Sequence, residues 1–349
     1  MSGGVDSSAT AALLIEQGFE VIGITLKLWP QDCVNRAEDK CCGPQAVTDA
    51  RSVCDKLGVP YYLVDESAEF QKHVIQYFAD EYKAGRTPNP CVMCNQNLKF
   101  GRLIDRADQL GAHYIATGHF ARVEKNADGS RHLLKRGLDL RKDQSYFLFS
   151  LRQDQLARIL FPLGEKTKSD TREVARQCNL KTADKEESME ICFVPDKNYG
   201  GFLQQANLVQ KHRGDIVDLH GHVLGQHDGI EFYTIGQRKG IGITTSKPVY
   251  VIELDVENNH VIVGDDSALD RDEFIADRCN WHPFEQLTEA IEVTAKIRYN
   301  HPGTAATVTP LANGKVQVKL HTPQRAITPG QASVFYQEDL VVGGGWIMR

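Results

Sequence analysis

The sequence predicts an α/β protein: a helix-covered parallel sheet in the first half, followed by small β-rich domains. Three observations carry this. Helical and strand-like patterns alternate over the first half, the βαβα rhythm of a parallel sheet with ligands at the carboxyl ends of its strands. After about residue 195 helical periodicity gives way to short β-type stretches separated by Gly, Asn, Asp and Pro. And the chain opens on "MSGGVDSSAT", a glycine turn running directly into a helical pattern.

Each element follows from its residues. "SSATAALLIEQG" has apolar positions at helical spacing and closes on Gly18, and "FEVIGITLKLW" is β-branched and continuous enough for a buried strand. "PQAVTDARSVCDKLG" predicts a helix ending at Gly58, "VPYYLVD" a short strand and "AEFQKHVIQYFADEYKAG" a long amphipathic helix. "LKFGRLIDRADQLG" predicts a further helix, and "AHYIATGH" a strand that stops at a glycine. Beyond residue 195, "GDIVDLHG", "PVYVIELDVENNHVIVGD", "AIEVTAKIRY", "TAATVTPL", "GKVQVKLHT" and "ASVFYQEDLVVGGGWI" read as strands of one or two β-rich domains, with a boundary at 265–270.

At 349 residues and 41% apolar content, the chain is long enough for two or three domains with their own cores. Nine cysteines, an odd number in a chain this large, argue for reduced thiols, metal ligation or redox chemistry over a disulfide framework. A net charge of −6 neither demands nor forbids nucleic acid, because a binding face is a local patch. The longest apolar runs, "EVIGITLKLW" and "QSYFLFSL", fall far short of the roughly 20 residues that span a bilayer. The expectation is a soluble, cytoplasmic protein.

"SGGVDSS" lacks the Gly-Lys-Ser/Thr ending of a loop that handles a γ-phosphate. Its adjacent glycines and its serines instead suit a concave nest of N–H and O–H donors for an anion, with Asp6 either capping the helix or helping to hold Mg²⁺ beside a pyrophosphate. Cys33, Cys41, Cys42, Cys54, Cys178 and Cys279 have no decisive spacing and read as buried or tolerated thiols. Cys94, in "TPNPCVMCNQNLKFG", lies in a Pro-rich loop before a helix, where helix N–H groups would lower a thiol pKa from about 8.5. Cys192, in "EESMEICFVPDKNYGG", lies in a short strand-like run between an acidic stretch and a Pro-Asp turn. "RHLLKRGLDLRKDQSYFLFSLR" sets Arg131, Lys135, Arg136, Arg141, Lys142 and Arg152 beside Tyr146 and Phe147. It is either a solvated face over a core strand or a set of cations for phosphates with an aromatic for a flipped base. "TIGQRKGIGI", with Arg238 and Lys239, is open in the same way between a β-turn and an RNA-touching loop.

The string Ser-Gly-Gly-Val-Asp-Ser leading into a helix and a strand resembles the PP-loop of N-type ATP pyrophosphatases, which attach AMP to a substrate oxygen and release pyrophosphate. Around Cys94 and Cys192, and in "CCGPQAVTDARSVCDKLGVPYY", "ATGHFAR", "KDQSYFL", "GIEFYTIGQRKGIGI", "AKIRYNHP" and "TPGQASVFY", the chain resembles the tRNA-specific 2-thiouridylases (MnmA/TrmU family) over essentially its whole length. The resemblance implies a PP-loop adenine-nucleotide-hydrolase-like domain over 1–195, a small central β-rich domain over 196–266 and a C-terminal β-barrel-like domain over 267–349. It implies ATP-dependent 2-thiolation of the wobble uridine in tRNAs of the Lys, Glu and Gln type. ATP with Mg²⁺ would be held by Met1, Ser2, Gly3, Gly4, Val5, Asp6, Ser7, Ser8, Leu26 and Gly118. Asn89, Pro90 and Cys91 would line the target base; His119, Lys142, Asp143, Gln144, Arg298, Tyr299 and Gln331 would contact the tRNA. Cys192 would carry a persulfide received from a sulfur-relay protein or cysteine desulfurase, and Cys94 would be its partner thiol, the pair ending as a disulfide. Adenylation is chemically apt: uridine's C2 oxygen leaves as poorly as hydroxide, whose conjugate acid has a pKa near 15.7, until AMP is attached to it.

Two departures stand out. Cys91 occupies the place where many members of the family carry Asp, so that carboxylate's role does not transfer. Beside the persulfide reading, which leads, Cys91 leaves two alternatives open: a Cys91–Cys94 redox pair, or an iron-sulfur cluster ligated by Cys91, Cys94 and Cys192. The strand that precedes the loop in the family is missing, which predicts that Met1 is an internal residue of a product longer by roughly seven to twelve residues, a strand and its entry. Outside this reading stand another PP-loop adenylating enzyme of amidating or ligase type, which leaves the paired cysteines unexplained, and an RNA-binding module with a degenerate nucleotide site, against which the intact Ser2, Gly3, Gly4, Asp6 and Ser7 argue.

Overall fold

The computed structural model describes residues 1–29, 43–185, 191–194 and 198–348. It divides into two compact units, one of Met1–Val74, Cys91–Lys197 and Asp339–Val341, the other of Ile75–Pro90, Asn198–Glu338 and Val342–Arg349. Cys33, Cys41 and Cys42 lie outside the described residues.

In the first unit, α1 (Val5–Glu16) begins where Gly4 is extended (φ −105°, ψ 165°) and ends before Gly18, whose φ of 84° no helix continues. Its buried stripe packs two ways: Val5 against Val53, Ala175 and Leu180, and Ala9 and Leu13 against Phe120 and Leu163. Strand β1 (Gly23–Lys27) follows, then α2 (Pro44–Leu57), which starts on proline and stops at Gly58 with φ 69°. Strand β2 (Tyr61–Asp65) pairs in parallel with β1, Gly23 opposite Tyr61 through Lys27 opposite Asp65. Only the middle of "FEVIGITLKLW" is strand, since the pairing runs no further than the five residues of β2.

Two helical runs carry π-helical stretches. The first is Ser67–Phe70, Gln71–Ile75 (π) and Gln76–Lys83; the second is Pro90–Cys94, Asn95–Arg102 (π) and Leu103–Gln109. In the second, the buried Gln155 amide donates to the carbonyls of Gln96 and Phe100, a side chain inserted into the helix ladder and a sufficient cause for its widening. Strands β3 (Ile115–Ala116), β4 (Ala121–Lys125), β5 (His132–Arg136) and β6 (Ile159–Leu160) complete this unit, with β3 parallel to β6 and β4–β5 an antiparallel hairpin. The parallel sheet is thus present as two separate two-stranded pieces, β1–β2 and β3–β6. A last helix, Lys168–Gln177, opens with a capping box between Thr167 and Asp170.

In the second unit, β7 (Gly214–Asp218), β8 (Val223–His227), β9 (Tyr250–Asp255) and β10 (His260–Gly264) form a sheet in the order β8-β7-β10-β9 over a core that includes Ile216, Tyr233, Val251, Leu254 and Val261. Strands β11 (Asp270–Trp281), β12 (Ile291–Lys296), β13 (Thr304–Pro310), β14 (Val316–Arg325), β15 (Ala332–Gln337) and β16 (Leu340–Ile347) follow one another as β11-β14-β13-β12-β15-β16. A β11–β16 pairing closes them into a six-stranded barrel. Closure removes both sheet edges, and the interior is filled by side chains such as Phe335 and Trp281, stacked at 5.8 Å.

Candidate active site

The loop at the start of the chain is built for an anion. Gly3 has φ 67°, and a Cβ there would lie 2.3 Å from the Ala46 carbonyl oxygen, so both its conformation and its space require glycine. The Ser2 N–H donates to Ser7 Oγ at 3.1 Å, the Ser2 and Ser7 hydroxyls meet at 3.1 Å, and the Ser7 and Ser8 hydroxyls donate to the Gly4 carbonyl at 3.1 and 2.9 Å. The loop is moored to β1 by Met1, whose amino group donates to the Ile24 carbonyl and whose carbonyl accepts from Thr25 Oγ1 at 2.7 Å. Helix geometry then aims the first N–H groups of α1 out of its N-terminus, where the dipole favours negative charge.

Asp6 does not cap α1; Gly4 occupies that place with no side-chain bond. Its carboxylate accepts a hydrogen bond from Lys168 Nζ at 2.6 Å, and Gly118 is pressed so close that a Cβ there would lie 2.7 Å from Asp6 Cβ. Lys168 is only 12% exposed and its ammonium also lies 5.6 Å from the centre of the Phe120 ring. Sequence reading missed Lys168: it stands 162 positions from Asp6 and nothing in "EKTKSDTRE" marks it. Leu26 is half-buried on β1, opposite Val64. Oxygen donors of this kind, one part-exposed carboxylate with hydroxyls beside it, fit a Mg²⁺ held mainly by phosphates.

The thiols differ from expectation in their local structure. Helix begins at Pro90, so Cys91 is on its first turn and Cys94 is the fifth residue, inside the helix and not in a loop before it. The N-terminal N–H groups therefore surround Cys91 more than Cys94, and the expected lowering of the Cys94 pKa by a helix start loses its basis, since that effect fades beyond the first turn. This helix is braced by the buried Glu66, which accepts from Arg102 and Arg106 at 3.4 and 3.2 Å, and by Asn95, which donates to the Phe147 carbonyl at 3.1 Å. Cys192 lies in a turn, not a strand. Next to it, buried Phe193 packs on Phe70 at 5.7 Å and on Trp29 at 6.3 Å, fixing the half-buried thiol by its neighbour. Cys91, Cys94 and Cys192 carry no disulfide. Among the described residues no three His, Cys, Asp or Glu side chains are grouped to hold a metal ion. Burial pushes the thiols of Cys54 and Cys279 up, Cys279 to about 12, in keeping with inert packing roles.

The residues expected to touch RNA separate by chemistry. Asp143 is buried and accepts from the N–H groups of Gly137 and Ser145 and from the Ser145 hydroxyl; Gln144 accepts from the Phe120 N–H. Both organise their own loop, beside half-buried Lys142. His119 is buried between Phe100 and Phe161 with Nδ1 at 2.8 Å from Thr117 Oγ1, and burial, with Lys99 nearby, holds it neutral. Tyr146 is fully buried and cannot stack on a base, while Phe147 is half-buried. Lys135 pairs with Glu124 and Asp339, Arg152 with Asp154, and Arg141, almost fully exposed, with Asp139.

In the second unit, Asn89 and Pro90 are buried. Gln331 donates to the carbonyls of Thr87 and Pro88 at 3.1 and 3.2 Å, and the Thr87 N–H donates to the Pro329 carbonyl, clamping the segment that leads to Asn89. Arg298 is exposed and donates to the Arg325 carbonyl; Tyr299 is half-buried under Lys296, and Arg238 and Lys239 are exposed in irregular backbone just after a turn.

Three family models match in series: a tRNA methyl transferase HUP domain over residues 1–196, a tRNA methyl transferase PRC-barrel domain over 201–265 and an aminomethyltransferase beta-barrel domain over 271–347. The chain is 51% identical to tRNA-specific 2-thiouridylase MnmA 1 of Caldanaerobacter subterraneus subsp. tengcongensis, over all of this chain and 96% of that one. It is 50% identical to tRNA-specific 2-thiouridylase MnmA of Heliobacterium modesticaldum, over all of this chain and 91% of that one. Among solved structures, the U34-tRNA thiolase NcsA of Methanococcus maripaludis with its 4Fe-4S cluster matches at 19% identity, 55% of this chain, 58% of that chain and a TM-score of 0.35, a likeness too slight to carry an argument.

Proposed function

Since the chain belongs to the tRNA-specific 2-thiouridylase family, we propose that it is an ATP-dependent sulfurtransferase that converts the wobble uridine of tRNAs of the Lys, Glu and Gln type to 2-thiouridine. The observation that carries the reading is the intact Ser2–Ser8 nest at the N-terminus of α1, in a chain that also holds Cys94 and Cys192 as thiols.

ATP binds with its phosphates on the loop from Met1 to Ser8, beside Leu26 and Gly118. Asp6 would help hold Mg²⁺ beside the phosphates, and the metal would supply positive charge for the departing pyrophosphate. The C2 oxygen of uridine attacks the α-phosphorus, so the base is adenylated and pyrophosphate leaves. The terminal sulfur of a Cys192 persulfide, supplied by a sulfur-relay protein or cysteine desulfurase, then attacks C2 and AMP departs with the oxygen. The Cys94 thiolate attacks Cys192 Sγ, the S–S bond breaks toward the base, and 2-thiouridine is released with a Cys94–Cys192 disulfide that a dithiol reductant reopens.

Asn89, Pro90 and Cys91 shape the place of the target base. For the tRNA, Lys142, Arg298 and Tyr299 supply charge and ring surface, while Asp143, Gln144 and Gln331 hold the backbone of the contacting loops. His119, neutral, offers a hydrogen bond and no ion pair. Incubation with ATP, Mg²⁺, a persulfide donor and unmodified tRNA is expected to give 2-thiouridine together with AMP and pyrophosphate. Formation of ADP and phosphate instead would contradict the adenylation step.

A further inference from the structure

The nucleotide loop lacks a lysine of its own, yet it faces a substrate carrying several negative charges, and it contains an acidic residue, Asp6, that would repel them. The fold brings a cation to that spot from far along the chain. Lys168 stands at the first position of the Lys168–Gln177 helix, directly after Thr167. Its backbone N–H donates to Asp139 Oδ2 at 3.2 Å, which fixes where the side chain starts. Its ammonium reaches Asp6 Oδ1 at 2.6 Å, with the Phe120 ring on another side, and the side chain is 12% exposed. A lysine so nearly buried needs a partner of opposite charge. Asp6, itself 33% exposed, is on the first turn of α1, where the N–H nest opens.

We propose that Lys168 is a pyrophosphate-binding residue: the cation that the loop lacks, stored on Asp6 while the site is empty and shared with the β- and γ-phosphates when ATP and Mg²⁺ enter. Asp6 would then be released toward the metal as Lys168 turns to the phosphates, so the ammonium keeps an anionic partner in both states. This rests on the ATP-site reading above and adds a residue to it. Its chemistry singles out the β- and γ-phosphates: the ammonium should discriminate ATP and pyrophosphate from AMP.

The test compares affinities for ATP, inorganic pyrophosphate and AMP, each with Mg²⁺, in the wild type and in Lys168→Met. A lost charge-assisted phosphate contact predicts roughly 10- to 100-fold weaker ATP and pyrophosphate binding with AMP affinity unchanged, and Lys168→Arg should recover most of the difference. Equal loss for all three ligands, or none, overturns the proposal. Should Lys168→Met not fold because Asp6 loses the ammonium, Asp6→Asn with Lys168→Met removes both charges of the pair, and its ATP and pyrophosphate affinities are compared with those of Asp6→Asn alone. The same selective loss supports Lys168, and its absence rejects it. Wild-type protein that binds neither ATP nor pyrophosphate would instead reject the nucleotide site itself.

Discussion

Single residues decide whether the loop can exist. Gly3 combines a positive φ with a backbone approach that no side chain survives, so Gly3→Ala is expected to cost about 1–3 kcal/mol, a central value for strained backbone positions. Nucleotide binding should fall together with the melting temperature, and calorimetry on the variant with and without ATP checks both. The glycines and serines of this loop were legible in the sequence because local geometry demands those residue types. Lys168 was not: its role depends on a contact 162 positions away, which no local pattern encodes. Tyr146 was ambiguous for the opposite reason. An aromatic between cations reads equally as a stacking platform or as core, and only its complete burial decides for core.

At the scale of elements, the helix holding Cys91 and Cys94 is where sequence reading and structure part most. Its start was expected at "LKFG", because the apolar period is clear only from there; in fact Pro90 opens it, as proline suits a first helical turn. The π stretch that follows is held open by Gln155, a residue from another element. Gln155→Leu removes the amide that donates to both the buried Phe100 carbonyl and the part-buried Gln96 carbonyl, a loss of about 1–3 kcal/mol. Because the widened turn sits directly after Cys94, the variant should also slow 2-thiouridine formation more than it weakens ATP binding; equal ATP affinity with unchanged product formation would show that the π stretch does not position the thiol. In the second unit the family resemblance marks Gln331 as a tRNA contact, and its clamp on Thr87 and Pro88 is not legible in the sequence. Gln331→Ala is expected to raise the hydrogen-exchange rate of residues 87–89 while leaving the barrel strands protected.

Over the whole molecule, the strands of the second half were readable one by one, since Gly, Asn and Pro turns punctuate them. That six of them close on themselves depends on the β11–β16 pairing, which joins the two ends of the barrel and leaves no signature in either strand. The same scale governs the response to acid. His119, His132, His227 and His301 all have pKa values lowered by burial, from an ordinary 6.5. Each is held neutral when folded and takes up a proton more readily when unfolded. Their contribution to stability is therefore complete above pH 6.5 and is lost as pH falls from there through the lowered values. The melting temperature should be flat from pH 8 to about 7 and decline below about 6.5. A His119→Phe variant should decline less steeply, and an unchanged slope would exclude His119 from that response.

Sulfur transfer between two thiols is the central step, and a single turnover tests it most directly. Enzyme loaded with persulfide on Cys192 is mixed with ATP, Mg²⁺ and unmodified tRNA, without reductant, and both 2-thiouridine and the Cys94–Cys192 disulfide are quantified by mass spectrometry. The two should appear in equal amounts in the wild type, with neither formed by Cys192→Ser and no released 2-thiouridine from Cys94→Ser. Released 2-thiouridine from Cys94→Ser at the wild-type rate, or product without the disulfide, would contradict the mechanism.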